Sequence, residues 1–195
     1  MKVQELLDLV KVKLQNLPIA TNTSILISFL NMGMNELYRR FNLSVKSETI
    51  VVTTDLALYE LRNDDVQMIL AVYDKFGKEL TQSDVLDSLD YDYKIVNYRS
   101  FVLRKPFEGY LYAVYKASPV KLVDGNDEVD LPESMVNALL TYVAYMANNT
   151  INRDNMQESA NHYQIFKEQC LDLEMQGYKI PLNTEKVAVQ ARGFV

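Results

Sequence analysis

The chain contains no tryptophan, one cysteine and one histidine among 195 residues. One thiol excludes a disulfide framework within the chain and any zinc site built on cysteines. With only His162 and Cys170 to draw on, neither a Ser–His–Asp nor a Cys–His catalytic system can be assembled convincingly. Six glycines and five prolines are too few for collagen-like or low-complexity classes. Glycine is also too sparse for phosphate loops of the Walker or dinucleotide type. No apolar run approaches the roughly 18 residues of a membrane span. The most apolar stretch, Ile25–Met34, is interrupted by Ser28, Asn31 and Gly33. The first residues carry charges throughout and lack the apolar core of a signal peptide, so the sequons at Asn22, Asn42 and Asn148 read as chance.

What remains is a globular composition. The hydrophobic fraction is 48%, which excludes global disorder. Twenty basic residues stand against 26 acidic ones, a net charge of −6, so the chain will not coat nucleic acid by general electrostatics. A chain of this length is expected to form one domain, or one with an insertion, and to bury about 70% of its unfolded surface.

Helical spacing opens and closes the sequence. Val3, Leu6, Leu7, Val10, Leu14 and Leu17 recur at steps of three and four until Pro18. A second helix starts at the Thr21/Asn22 cap, with Leu26, Leu30, Met34, Leu37 and Phe41 as its stripe. Between them and the later helices the period changes. Thr49–Thr54 is β-branched, and Ala57–Leu61 is expected to be its hairpin partner. Val66–Tyr73, Tyr93–Asn97, Phe101–Arg104 and Tyr110–Ala117 read as strands, Gly77 as a turn, and Thr81–Leu89 as a short helix. Tyr110–Ala117 is apolar or amphipathic on both faces, so it is either central in a small sheet or at a subunit contact. Six of the 13 tyrosines lie between Tyr91 and Tyr115, which fits a small core with wet edges or a protein interface.

Two helices follow an acidic loop, Asp124–Asp130. The first begins at Pro132, with stripe Met135, Leu139, Tyr142, Val143 and Met146. The second begins near Asp154, with stripe Met156, Ala160, Tyr163, Phe166, Cys170 and Leu173, and Gly177 ends it. The expected fold class is α+β, mainly a bundle of about four helices with a small antiparallel β insertion and an extended C-terminal arm. In numbers this is a single domain over about 1–177, with helices at about 2–16, 22–41, 132–148 and 154–176 and the insertion at about 48–117.

Candidate chemistry is thin. His162 has Glu158 one turn before it and reads as structural. Cys170 sits on an apolar stripe and reads as a small core residue. In the acidic loop, Asp124, Asn126, Glu128 and Asp130 alternate as oxygen ligands would. An EF-hand counted from Asp124, however, would need Gly and Glu where Val129 and Met135 stand, so a solvated turn is the better reading. No catalytic, cofactor-binding or metal-binding residues are expected. The last 18 residues behave differently: three basic residues against one acidic, and Val187, Val189 and Ala191 alternating with Ala188, Gln190 and Arg192. This reads either as a disordered end or as an extended arm that docks on a partner, with strand addition as one mode.

The order of segments adds to this. Asn31-Met-Gly-Met-Asn-Glu-Leu-Tyr38, Tyr59-Glu-Leu-Arg-Asn-Asp64, Tyr112-Ala-Val-Tyr-Lys-Ala-Ser-Pro119, Asp130-Leu-Pro-Glu-Ser134 and the ending Leu173-Glu-Met-Gln-Gly177 resemble the head-to-tail connector adaptor proteins of tailed bacteriophages. That resemblance implies a structural, non-enzymatic protein of the virion neck. It implies a twelve-subunit ring under the portal protein, a next neck or tail protein bound below, and double-stranded DNA passing without sequence recognition. It involves no cofactor and no membrane. It also implies an arm that binds the portal, here through Lys179, Ile180, Leu182, Lys186, Val187, Val189, Arg192 and Phe194. A neck stopper or tail-completion protein, or a non-viral helical interaction module, are the alternatives.

Overall fold

A computed structural model describes residues 1–14, 17–83, 92–151 and 156–178. The chain divides into two compact units. Among the described residues, one is formed by Met1–Leu43 together with Pro119–Tyr178, and the other by Ser44–Ser118.

The first unit is helical. It contains α1 (Val3–Lys13), a 3₁₀ turn (Pro18–Thr21), α2 (Thr23–Arg40), α3 (Val136–Ile151) and α4 (Met156–Leu173). α3 touches each of the other three helices. The expected stripes form its core: Leu6, Leu7 and Val10 from α1, Leu26, Leu30, Met34 and Leu37 from α2, Leu139 and Val143 from α3, Phe166 and Cys170 from α4. Asn22 caps α2 by accepting from the Ile25 amide at 3.2 Å. Such a cap contributes about 1 kcal/mol.

Three helix details differ from expectation. α1 ends at Lys13, and Pro18 opens the 3₁₀ turn, so Leu17 is reached by a turn. Pro132 is the N-cap of a 3₁₀ turn, Glu133–Met135, that leads into α3. On α4 the buried small residue is Ser159, and Ala160 is exposed. The buried stripe therefore runs Ser159, Tyr163, Phe166, Cys170, Leu173, whose regular steps of four and three keep it on one face.

The second unit holds two three-stranded antiparallel sheets. In the first, β6 (Gly109–Ala117) lies between β1 (Val45–Val52) and β3 (Val66–Asp74). In the second, β5 (Ser100–Leu103) lies between β2 (Leu58–Glu60) and β4 (Tyr93–Asn97). Ile50, Val72, Leu111 and Tyr115 of the first sheet share a core with Tyr59, Tyr93, Phe101 and Leu103 of the second. β6 is central, as its two apolar faces suggested.

The expected hairpin between Thr49–Thr54 and Ala57–Leu61 does not form. β1 pairs with β6, Val51 opposite Tyr110, and β2 pairs with β5. The Tyr59 hydroxyl accepts from the Thr53 amide at 3.1 Å and donates to the Leu56 carbonyl at 2.6 Å. That clasp turns the chain out of β1, while the Tyr59 ring stacks on Phe101 of β5 at 5.8 Å. Gly77 closes the turn after β3 with φ 86°, a conformation that favours glycine. Thr81–Ser83 is not helical, and Gln82 bridges to Tyr93. The rest of the expected Thr81–Leu89 helix, and Asp154 before α4, lie outside the described residues.

Candidate interaction surfaces

Residues of two of the segments that carry the resemblance, Asn31–Tyr38 and Asp130–Ser134, act as clamps inside the helical unit. Asn31, facing out of α2, donates from Nδ2 to the Leu122 carbonyl at 2.9 Å and accepts from the Leu122 amide at 2.8 Å. It thus holds the chain that returns from the second unit. Two residues on, Gly33 lets α2 approach α3 closely: a Cβ there would lie 2.5 Å from Leu139 Cδ1 and 3.2 Å from Tyr142 Cδ1. Tyr38 donates to the Asp130 carbonyl at 2.6 Å, and burial, with Asp130 nearby, pushes its pKa up to about 12.

Glu36 closes α2 electrostatically. Its carboxylate accepts from Arg39 at 2.8 and 3.0 Å and from Arg40 at 2.7 Å. Burial opposes its ionisation, but the two arginines outweigh burial and hold its pKa below the usual carboxylate value. Arg40 also lies over the Phe166 ring, 5.2 Å from its centre. Phe166 in turn meets Tyr142 edge-on at 5.1 Å. Tyr145 and Tyr163 continue this aromatic seam between α3 and α4 at 5.0 Å.

The acidic loop serves α1. Asp127 and Gly125 carbonyls accept from the Val3 and Gln4 amides, both at 2.9 Å, so the loop satisfies free donors of the first helical turn. Asp127 Oδ2 accepts from the Val123 and Asp124 amides, and Asp124 Oδ1 from Asn126 at 2.7 Å. Two of the loop's carboxylates are therefore occupied by backbone donors. Among the described residues no group of three or more His, Cys, Asp or Glu is placed to hold a metal ion.

His162 and Cys170 do not come together as a catalytic pair. Cys170 is buried, and burial pushes its thiol up to about 11, so the thiol stays protonated at neutral pH. His162 borders a cleft of about 380 Å³ with Lys13, Asn148 and Glu158. Burial first, and Lys13 second, lower its pKa below the usual value. Lys13 in that cleft donates to Thr141 Oγ1 at 3.0 Å.

The tyrosine-rich stretch divides between the two roles its composition allowed. Tyr93 and Tyr115 are core residues, and the Tyr115 hydroxyl donates to Asp65 at 3.3 Å. Tyr98 and Tyr110 are more than half exposed. Tyr91 lies outside the described residues.

The last described residue is pinned. Gly177 adopts φ 93° after α4, as expected of a helix-ending glycine. Ser134 Oγ then donates to the Tyr178 hydroxyl at 2.7 Å, and Tyr178 packs on the helical core. The expected arm residues Lys179, Ile180, Leu182, Lys186, Val187, Val189, Arg192 and Phe194 all lie beyond Tyr178, outside the described residues. Near Tyr178, Leu171 of α4 and Met175 of the π-helical turn Glu174–Tyr178 that follows it are both exposed, the latter 79% accessible. Periodicity alone did not single out this pair, nor the Glu36–arginine cluster. An i, i+3 and i+4 spacing of acid to base is the signal that finds the latter.

Comparison with known proteins gives one clear result. The family model described as SU10 adaptor protein matches residues 1–184. No curated protein matches the chain. Among the described residues no helix is long and apolar enough to cross a membrane.

Proposed function

The chain belongs to the SU10 adaptor protein family, a family of phage head-tail adaptors, and from that premise we propose that it forms a ring beneath the portal. It is a structural component of the phage virion that contacts other virion proteins. In the proposed reading residues 1–177 act as a single adaptor domain and residues 178–195 as an arm. The ring contains twelve copies. Lys179, Ile180, Leu182, Lys186, Val187, Val189, Arg192 and Phe194 anchor the arm on the portal. The next neck or tail protein docks below, and DNA passes through the channel without being read. No step in this role requires catalysis.

The observation that carries the reading is where the matched segments meet. Asn31, Gly33, Tyr38, Asp130 and Ser134 are packing and clamping residues of the helical unit, and the contact of Ser134 with Tyr178 pins the last described residue, which supports an arm that starts there. A rigid body with a tethered apolar segment suits a ring component. A heterologous contact closes when the rotation between copies closes. A net charge of −6 per copy disfavours adhesion to passing phosphates. The test is a chain ending after Tyr178, mixed with portal rings of its own phage. We expect it to keep its circular dichroism spectrum and to lose portal binding. Unimpaired binding would overturn the arm assignment.

A further inference from the structure

The cleft that His162 borders lies within the helical unit. The end of α1 and the turn after it line it with Lys13, Leu14 and Leu17, and α4 lines it with Glu158, His162 and Ile165. Its volume of about 380 Å³ falls in the range of small-ligand sites, about 300–1,000 Å³. Leu14, Leu17 and Ile165 give it an apolar wall beside the charged groups.

Lys13 is the unusual member. A lysine ordinarily extends its ammonium into water. Here Nζ turns inward and donates to Thr141 Oγ1 at 3.0 Å, and Thr141 is 1% exposed. The Thr141 hydroxyl gives its own proton to the Asn137 carbonyl at 2.9 Å, so it serves Lys13 as an acceptor. An ammonium carries three donors. Among the described residues Lys13 makes this one hydrogen bond and no ion pair. Burial without a counter-charge disfavours the charged form, and it lowers the pKa of Lys13. Glu158, the one carboxylate lining the cleft among the described residues, acts on His162. The cleft therefore holds a partly desolvated cation with spare donors, an imidazole beside it and an apolar wall.

We propose that this cleft binds a carboxylate carried on a short aliphatic stem, with Lys13 Nζ as its principal donor and His162 as the second. A small aliphatic acid and a glutamate side chain of another protein share that chemistry. The proposal does not rest on the portal-binding reading above. Binding is coupled to a proton. Burial first and Lys13 second lower the pKa of His162, while Glu158 acts in the opposite sense. From α3 the cleft receives only uncharged groups, Asn148 and the Thr141 that Lys13 bonds. A bound carboxylate favours the imidazolium, so affinity rises as pH falls through the histidine range.

The experiment uses the full chain and proton NMR. His162 is the sole histidine, so its ring signals report on this cleft alone. The protein is titrated with butyrate, with butyramide as the uncharged control, and with an acetylated, amidated tripeptide that has a central glutamate. Butyrate should shift the His162 signals to saturation and raise their titration midpoint, and butyramide should leave them in place. Lys13→Met should weaken butyrate binding by about tenfold or more. Glu158→Gln removes a competing carboxylate and should strengthen it by about two- to fivefold, a gain that no loss of folding can produce. Tighter binding of the tripeptide than of butyrate assigns the site to a glutamate side chain, and weaker or equal binding assigns it to a free acid. Shifts that stay linear in concentration, or that butyramide reproduces, overturn the proposal. So does Lys13→Met binding butyrate as the parent does.

Discussion

Replacing Asn31 tests how the two passes of the chain through the helical unit are joined. Its amide makes a two-bond clasp on Leu122, 91 residues away, at 2.8 and 2.9 Å. Leu122 is 2% exposed, so its peptide groups rehydrate poorly once the clasp is gone. Two hydrogen bonds at about 0.5–1.5 kcal/mol each, weighted to the upper end by the stranded donor and acceptor, give a loss of about 2–3 kcal/mol for Asn31→Ala. At about 2–4 °C per kcal/mol for a chain of this size, the melting temperature should fall by about 5–10 °C. Asn31→Asp sharpens the test. Above its pKa the carboxylate still accepts from the Leu122 amide but turns its second oxygen on the Leu122 carbonyl, which repels it. That repulsion raises the folded-state pKa of the new acid. The variant is therefore relatively stable in acid, where the protonated group can donate, and loses stability as pH rises through that pKa. Thermal unfolding followed by circular dichroism between about pH 4 and 8 reads both effects. An Asn31→Ala melting temperature within about 1 °C of the parent, or an Asn31→Asp profile parallel to it, would refute the clasp as a stabilising element.

Three further outcomes follow from the same contacts. Gly33→Ala should destabilise although a glycine-to-alanine change inside a helix ordinarily gains about 1 kcal/mol. A Cβ 2.5 Å from the fully buried Leu139 overpacks the α2–α3 contact by about 1–3 kcal/mol, and a raised melting temperature would contradict this. The folded-state pKa of Glu36 is lowered, so its ionised form contributes stability that is present above the unfolded carboxylate value and lost as pH falls through the folded one. Urea midpoints across the acid range should therefore fall less steeply for Glu36→Gln than for the parent. Cys170 should ignore a thiol reagent at pH 8 in the native state and react once urea unfolds the chain; fast native labelling would show that the α4 stripe opens.

The helices were largely legible because a buried face repeats every three to four residues and caps mark its ends, as with Leu26–Leu37 and Asn22. The failures have physical causes. Ala160 and Ser159 both fit a step of three or four to Tyr163, and residue type favoured the alanine, but packing against neighbouring helices settled on the serine. The β1–β2 hairpin looked natural because the runs were adjacent, yet the pairing of β1 with β6 spans some 60 residues and leaves no local trace. Both faces of β6 did betray its central place. The segments resembling phage adaptors were visible as sequence, but the reasons for their residues, such as Asn31 on Leu122 or Ser134 on Tyr178, emerge only when the two halves of the helical unit meet.

The central claim is a ring seated on the portal. Native mass spectrometry and electron cryomicroscopy of the full chain mixed with portal rings of its own phage test it most directly. The account predicts a discrete complex with twelve added copies and density for residues 179–195 against the portal. A well-folded chain that forms no complex, or that joins only the tail-side components, would contradict it.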